Sequence, residues 1–381
     1  MVFSMDSSER RKIEDIHYNK SYEVELIYAI NALQTDYQSG ARELANNAVE
    51  YLRVVILAAW PGPRSIDEWW TLSIEAAKKL IEARPAMSVA MKAALVHALE
   101  EIALGWHIDS RMADFMNDTR PDKKGVKGTD LADTVNMKLD QVLKERKEVT
   151  QKLAQGFATW METSHRTNRN PDHPIKILTL SNSSTIRASL FAFLTKTSLP
   201  ISLTILESRP RCEGVDLANQ LLASLTPTQQ SNISILVAPD AAIGTLMPGK
   251  DCVLLGADGI AGSGWTSNKT GSAAAAMLGY LHGVPVWVLS ESDKIVAAGE
   301  DGEARSSGGE SHPAEELAGA WSSGGKGVVL MRNVEVYGHW FEDVDPKYIT
   351  GWYTELGEMG REQIREVSAE TWTRYKAVFG D

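Results

Sequence analysis

The sequence predicts an α/β protein in which a helical N-terminal half precedes a half built on a parallel sheet. In the first half, apolar residues recur at the three- and four-residue spacing of amphipathic helices. After His173-Pro174 the pattern changes to short apolar, β-rich runs that alternate with helical patterns, as in βαβ units. Hydrophobic residues make up 43% of the 381 residues and charged residues 23%, which is typical of a globular protein. We therefore expect two domains, residues 1–170 and 171–381.

Helical patterns account for the first domain. The pattern from Tyr22 to Trp60 is interrupted at Ser39-Gly40, where a break between two helices is expected. Further helices are predicted at about 66–83 and 87–105. From Leu131 to about Ser164 the pattern indicates either one long helix or two stacked short ones.

Five apolar runs are the predicted strands of the second domain: 175–180, 201–207, 233–238, 251–258 and 284–290. Helices are predicted between and after them: 185–197, 214–225, 240–247, 268–282 and a C-terminal helix at about 361–378. The Gly-, Ser- and Glu-rich segment 296–327 indicates a surface loop, and 328–337 a strand. Because parallel α/β sheets bind ligands at the carboxyl ends of their strands, the loops after the strands are the candidate site.

The charge balance and the cysteine count exclude several classes of function. Lys and Arg number 39 against 50 Asp and Glu, so the net charge of −11 argues against nucleic acid and anionic membranes as partners. Two cysteines, Cys212 and Cys252, are too few for a disulfide framework and lack zinc-ligand spacing. No apolar run approaches the roughly 18 residues of a membrane span. We expect a cytoplasmic protein without metal or cofactor.

Two strand-end loops carry cations suited to phosphate. The loop after 201–207 contains Arg209 and Arg211 before a predicted helix start, where bidentate guanidinium groups and the helix dipole favour anions. Surface ion pairs are the alternative explanation. In the glycine-rich segment 254–271, Asn268 and Lys269 are expected to open the next helix with a donor and a charge. This segment is neither a Walker A loop nor a GxGxxG motif.

Other candidates follow from position in the same way. Asp258 comes directly after a strand, where a partly buried carboxylate is available as a general base or serves as a turn cap. The loop Ser181-Asn182-Ser183 offers hydroxyl and backbone donors at a helix start, or simply an N-cap. Arg84 lies between two helices, in a segment that is otherwise a plain turn.

Seven collinear segments between residues 39 and 379 resemble one family: SGARELA (39–45), ARPAMSV (83–89), ILTLSN (177–182), ESRPRCEG (207–214), PDAAIGTLM (239–247), LLGADGIAGSGWTSNKTG (254–271) and WFEDVDPKYITGWYTELG (340–357). The family comprises the regulatory alpha, beta and delta subunits of translation initiation factor 2B together with methylthioribose-1-phosphate isomerase and ribose-1,5-bisphosphate isomerase. The resemblance implies a helical domain followed by a Rossmann-like domain of the NagB/RpiA/CoA transferase-like type. It also implies a site in the cleft between them and homodimers formed through the C-terminal domain.

The isomerases of this family interconvert phosphorylated aldoses and ketoses without a cofactor, so the resemblance implies such a substrate and such chemistry. Their proton-transfer aspartate corresponds to Asp258. Their catalytic cysteine, in a Thr-His-Cys-Asn pattern, corresponds to Ser181, whose hydroxyl has too high a pKa to act as a thiol does unless a neighbour activates it. Cys212, in the next strand-end loop, is an alternative thiol. The matching segments also give the substrate-binding candidates: Gly40, Ala41, Arg84, Asn182, Ser183, Arg209, Asn268 and Lys269.

Three functions remain open at this point. The first is isomerisation of ribose 1,5-bisphosphate or methylthioribose 1-phosphate. The second is a non-catalytic regulatory role like that of the initiation factor's alpha subunit, with a phosphorylated sugar or nucleotide as ligand and other initiation factor subunits as partners. The third is a pocket that has diverged to an unrelated ligand, as tryptophans such as Trp265 inside the glycine-rich segment suggest.

Overall fold

The computed structural model describes residues 7–36, 39–60, 66–105, 128–166, 173–298, 317, 320–321 and 333–380. Tertiary contacts divide the chain into two compact units. Unit 1 comprises Met1–Arg146 and Trp372–Asp381, and unit 2 comprises Lys147–Thr371. The domain boundary near residue 170, inferred from the change of pattern, stays a prediction.

Unit 1 is helical, as the spacing of its apolar residues predicts. Its helices are α1 (Ser7–Thr35), α2 (Ala41–Ala58), α3 (Ile66–Glu82), α4 (Ser88–Gly105) and the first part of α5 (Gly128–Arg166). The break at Ser39-Gly40 separates α1 from α2, and α5 is one long helix rather than two stacked ones. The core of the unit is built around Trp69, which is fully buried and donates its ring N–H to the carbonyl of Ile56 at 2.8 Å.

Among the described residues, no helix is both long enough and apolar enough to cross a bilayer.

Unit 2 contains a seven-stranded sheet in the order β10-β9-β7-β4-β1-β2-β3, parallel except for β10. Its strands are β1 (Ile175–Leu180), β2 (Ile201–Leu206), β3 (Ile233–Ala238), β4 (Cys252–Leu255), β7 (Val286–Leu289), β9 (Gly351–Thr354) and β10 (Gly357–Met359). The five strands predicted from the apolar runs between residues 175 and 290 are all present. The fold class, a helical region followed by a parallel-sheet domain, is confirmed.

The helices of unit 2 also follow the predicted alternation. They are the second part of α5, then α6 (Ser184–Lys196), α7 (Glu213–Ala223), α8 (Pro227–Gln230), α9 (Ile243–Leu246), α10 (Ser272–Leu281) and α11 (Arg361–Phe379), which continues into unit 1. Buried side chains lie on both faces of the sheet. Because successive side chains of a strand point to opposite faces, Ile177 belongs to one core cluster and Leu178 to the other.

A second, antiparallel sheet corrects one prediction. It consists of β5 (Gly259–Ile260), β6 (Thr266–Lys269) and β8 (Phe341–Val344) in the order β5-β6-β8. Asn268 and Lys269 therefore end a strand, whereas the sequence predicted that they open a helix. The helix α10 starts only at Ser272, after Gly271 with φ of 109°, a value that favours glycine.

Two further predictions fall largely outside the described residues. Most of the predicted loop 296–327 lies there, as do the first five residues of the predicted strand 328–337. Residues 333–337 are described and form no strand.

Candidate functional site

The parallel strands of unit 2 bring six loops to one edge of the sheet. In the order of the sheet these loops begin after β9, β7, β4, β1, β2 and β3. The loops after β4, β1 and β2 hold Asp258, Ser181 and Arg209, so the candidates predicted separately from the sequence lie on neighbouring strands. This is the edge at which parallel sheets bind ligands.

The backbone of two of these loops is unusual. Ser181, Ser208 and Cys212 have φ of 60°, 58° and 58°, in the left-handed region that L-residues rarely adopt. They are the non-glycine residues with positive φ in the part of the chain that the structure describes. Such strain costs about 1–3 kcal/mol per residue and is concentrated at functional sites. The geometry therefore marks the ends of β1 and β2 as a candidate site.

Asp258 is the titratable group at the centre of this edge. It follows β4, and its backbone N–H donates to the carbonyl of Ser267 at 2.8 Å. Burial raises the pKa of the Asp258 carboxyl group, while the positive charges of Lys294 and Lys269 act in the opposite direction. A carboxyl group whose pKa is raised toward neutrality can both accept and donate a proton, as acid–base catalysis requires.

Lys269 forms a cationic cluster with the loop after β2. Its ammonium group is 2.8 Å from the Oε1 atom of Glu213, at the start of α7, and its side chain is only 7% exposed. The centroid of the Trp340 ring lies 4.5 Å from the Lys269 nitrogen and 4.3 Å from the guanidinium carbon of Arg211. The indole thus contacts two cations, which holds positive charge at this position despite the pairing with Glu213.

Asn268 and the loop after β1 meet at a glycine. The Asn268 amide donates to the Ser272 hydroxyl at 2.9 Å. A Cβ added to Gly256 would lie 3.0 Å from the Ser183 Oγ atom and 3.5 Å from the Asn268 Oδ1 atom. The absence of a side chain at Gly256 therefore allows β4, β6 and the start of α6 to approach each other closely.

The loop after β1 has the N-cap that its sequence suggests. The Ser183 Oγ atom accepts from the N–H of Ile186 at 3.4 Å, and the Asn182 Oδ1 atom accepts from the Arg187 guanidinium at 3.1 Å. Ser181 is partly exposed at the very end of the strand. Ligand binding by Ser181, Asn182 and Ser183 stays a prediction.

Arg209 is more exposed than the other cations, and its loop is fixed by a residue that the sequence analysis did not select. The Arg209 guanidinium lies 2.9 Å from Glu207, and its side chain is 55% exposed. The Asp240 carboxylate, after β3, accepts from the backbone N–H groups of both Ser208 and Arg209 at 2.8 Å each. Asp240 comes directly after a strand and a proline, at the edge of the sheet where an acid can anchor a neighbouring loop. This position in the sequence was the signal by which Asp240 could have been selected.

Cys212, the alternative thiol, lies in an acidic environment. Burial raises the pKa of its thiol; Glu207, Asp240 and Glu213 raise it further, while Arg209 lowers it. The sulfur is 4.0 Å from a Glu207 oxygen. A raised pKa leaves less thiolate at neutral pH, so this environment does not favour Cys212 as the alternative thiol.

The start of α10 is occupied by a side chain of the protein itself. One oxygen of Glu342, on β8, accepts from the backbone N–H groups of Gly271 and Ala273 at 2.7 and 2.8 Å. These are the groups that a bound phosphate would use at a helix N-terminus. Positive charge for an anionic ligand must therefore come from side chains at this point.

Three candidates belong to unit 1. Arg84 is 4% exposed, and its guanidinium donates to the main-chain carbonyls of Leu33 and Asp36 near the end of α1. Gly40 is the N-cap of α2, and its carbonyl accepts from Leu44 at 3.0 Å; Ala41 is the first residue of that helix. Substrate binding by these three residues stays a prediction.

Comparison with protein families gives one match over most of the chain. Residues 37–360 match the model of the Initiation factor 2 subunit family. Among curated proteins, 157 residues are 34% identical to methylthioribose-1-phosphate isomerase of Syntrophus aciditrophicus, covering 40% of this chain and 38% of that protein. A stretch of 156 residues is 31% identical to 5-deoxyribose 1-phosphate isomerase of Petrotoga mobilis, covering 40% and 41%. The chain thus spans about two-fifths of the length of these relatives.

Solved structures resemble the chain over more of its length at lower identity. Translation initiation factor eIF-2B of Pyrococcus horikoshii gives a TM-score of 0.57 at 20% identity, over 88% of this chain and 96% of that one. 5-Methylthioribose 1-phosphate isomerase of the same organism gives 0.59 at 18% identity, over 91% and 88%. The tetrameric eIF2B-beta2-delta2 complex of Chaetomium thermophilum gives 0.60 at 15% identity, over 96% and 99%. These similarities show the fold.

Proposed function

The chain belongs to the Initiation factor 2 subunit family, and from this premise we propose that it is an aldose–ketose isomerase of a phosphorylated ribose. The observation that carries the proposal is Asp258, a carboxyl group with a raised pKa at the carboxyl edge of the parallel sheet, acted on by two lysines. Partial matches to isomerases of methylthioribose 1-phosphate and 5-deoxyribose 1-phosphate support this class of substrate.

In the proposed reaction Asp258 moves the proton. Conversion of a ribofuranose 1-phosphate to the open-chain ketose moves the hydrogen on C2 to C1, breaks the bond between C1 and the ring oxygen, and passes the hydroxyl proton of C2 to that oxygen. It needs one group that takes the proton from C2 and returns it to C1. A carboxyl group with a raised pKa is suited to both steps, because its proton affinity lies nearer to neutral pH. Backbone donors of the loop Ser181–Ser183, on the neighbouring strand, are proposed to stabilise the C2 oxygen of the enol phosphate intermediate.

The phosphate is assigned to the cations beside Asp258. Lys269 is held against Trp340 at 4.5 Å, and Arg209 extends into solvent from a loop anchored by Asp240. We propose that Lys269 and Asn268 bind one phosphate oxygen each, and that Arg209 closes over the ligand. The ion pair of Lys269 with Glu213 means that an incoming phosphate competes with a carboxylate for this ammonium group.

The experiment incubates the protein with ribose 1,5-bisphosphate, methylthioribose 1-phosphate and 5-deoxyribose 1-phosphate in separate reactions and follows ketose formation by NMR. Asp258→Asn should abolish turnover and keep ligand-dependent thermal stabilisation. The matched control is Asp216→Asn, at an exposed position of α7, which should retain wild-type turnover. Absence of ketose from all three substrates would refute the isomerase proposal.

A second function is favoured by Ser181, which the resemblance to the family pairs with the catalytic cysteine of its isomerases. A protein without that thiol can bind a phosphorylated sugar or nucleotide as a regulatory signal without converting it. Such a protein should be stabilised thermally by sugar phosphates or AMP without forming product. It should also retain initiation factor subunits in a pull-down, whereas the isomerase should elute alone as a homodimer.

A further inference from the structure

Lys294 is a buried cation that the acid–base proposal does not yet use. It follows β7, its side chain is 6% exposed, and its ammonium group donates to the carbonyl of Ala257 at 2.8 Å. Ala257 is the residue before Asp258. A buried ammonium group is costly unless it is paired, so its position in the fold needs a partner of opposite charge.

Glu291 supplies that partner, at 0% exposure. One of its carboxylate oxygens lies 3.7 Å from the Lys294 nitrogen. The carboxylate also accepts from the hydroxyl of Thr150 at 2.9 Å and from the hydroxyl of Thr185 at 3.0 and 3.1 Å. Thr185 lies in the first turn of α6, directly after the loop of Ser181. The network therefore joins the loops after β1, β7 and β4.

The bond from Lys294 fixes one particular peptide unit. The carbonyl of Ala257 and the N–H of Asp258 belong to the same peptide group. The carbonyl accepts from Lys294, and the N–H donates to the carbonyl of Ser267 at 2.8 Å. A peptide group bonded at both ends cannot rotate freely, and its plane sets the direction in which the Asp258 side chain leaves the backbone.

We propose that Lys294, held by Glu291, is the positioning residue of Asp258: it fixes the preceding peptide group and supplies a buried positive charge next to the carboxyl group. Its meaning for catalysis rests on the proposed isomerase function. The role differs from that of Lys269, which lies on β6, contacts Trp340 and is assigned to phosphate.

The charge of Lys294 has a consequence that can be measured. The charged groups that act on Asp258 are Lys294 and Lys269, both of which lower its pKa against the effect of burial. Removing the Lys294 charge should therefore raise the pKa of Asp258 further, by about one unit or more, which is the usual effect of a nearby opposite charge. The acid limb of the activity profile should move to higher pH by the same amount, because the carboxylate form is the base.

The test uses the double variant Lys294→Met/Glu291→Gln. Replacing both members of a buried ion pair by neutral groups is usually tolerated, whereas removing one leaves an uncompensated buried charge. The pKa of Asp258 is measured by ¹³C NMR of protein labelled at aspartate carboxyl carbons, with Asp258→Asn identifying the signal. The double variant should raise this pKa by about one unit. An unchanged value in a folded double variant would overturn the proposal.

Two controls separate the effect of the Lys294 charge on the pKa of Asp258 from the effects of Glu291 and of a surface lysine. Glu291→Gln alone keeps the lysine charge, so the pKa of Asp258 should not rise; a rise equal to that of the double variant would overturn the assignment to Lys294. Lys152→Met, at an exposed position of α5, should leave both the pKa and the activity profile unchanged. If the double variant fails to fold, Lys294→Arg replaces it: a kept charge should preserve the pKa, and a rise would contradict the proposal.

The titration needs no turnover, so the two proposals can fail separately. A raised pKa in the double variant of a protein that forms no ketose would support the role of Lys294 and refute the isomerase function. Turnover by the wild-type protein, together with an unchanged pKa of Asp258 in the double variant, would support the isomerase function and refute the role of Lys294.

Discussion

Asp240 offers a direct test of how the loop after β2 is held. Replacing Asp240 by alanine removes the acceptor of two hydrogen bonds of 2.8 Å each, from the N–H groups of Ser208 and Arg209. Ser208 is 1% exposed, so water cannot reach its N–H, and an unsatisfied buried donor costs about 1–3 kcal/mol. Arg209 is exposed, so water replaces its bond at a net loss of about 0.5–1.5 kcal/mol.

Together these terms predict that Asp240→Ala lowers the free energy of unfolding by about 1.5–4.5 kcal/mol. Asp240→Asn keeps one acceptor oxygen and should lose about half as much. Urea unfolding followed by tryptophan fluorescence measures both losses. The matched control, Asp216→Ala on the surface of α7, should cost at most about 1 kcal/mol, the limit of a helix-dipole contribution.

The same substitution should weaken ligand binding, because Arg209 follows directly after the anchored N–H groups. Thermal stabilisation of Asp240→Ala by the sugar phosphates should be smaller than that of the wild type at equal concentration. A stability loss below about 1 kcal/mol would refute the reasoning, since it would mean that the Ser208 N–H finds another partner without cost.

Three further predictions concern neighbouring positions. Ser181→Cys restores the thiol of the family's isomerases and should raise turnover at least about tenfold in the NMR assay; equal or lower turnover would contradict a catalytic role of this position. Asp258→Asn should raise the melting temperature at pH 7, because the raised pKa of Asp258 means that its ionised form destabilises the folded state. This gain should shrink as the pH falls through that raised pKa toward the ordinary carboxyl range, and a gain independent of pH would contradict the burial argument. Gly214→Ala should destabilise by about 3 kcal/mol or more in urea, because its Cβ would overlap the main-chain oxygen of Leu206; wild-type stability would show that the backbone yields there.

The sequence predicted five strands of the parallel sheet, most helices and the edge of the sheet that carries the candidate residues, because these depend on local periodicity. It did not predict β9, β10 or the antiparallel sheet. It failed at Asn268 and Lys269. Their strand pairs with Phe341–Val344, more than 70 residues away, and no local pattern reports a pairing of such range. The alanine-rich run after Gly271 extended the helical pattern backward across the strand end.

The second failure of the sequence-based prediction concerns the binding partners of individual carboxylates. Asp240 and Glu342 lie within the segments that resemble the family, and Glu291 follows a predicted strand directly, yet nothing at these positions shows what each carboxylate binds. Their partners are backbone N–H groups, hydroxyls and an ammonium group supplied by other strands and helices. Asp258 was identified in advance because it lies at the end of a predicted strand, and Asp240, which follows β3 and Pro239, offered the same positional signal.

The carboxylate of Glu342 at the start of α10 bears on how this site can evolve. The N–H groups of a helix N-terminus belong to the backbone and persist through most substitutions, whereas the charge of a lysine or arginine is lost or gained by a single substitution. Because a side chain of the protein fills this helix start, an anion bound beside it would have to be recognised by side-chain cations, and the proposed site offers Lys269, Arg209 and Arg211. We therefore expect point substitutions at these three positions to change which anion the proposed site prefers, while the sheet that carries it stays unchanged.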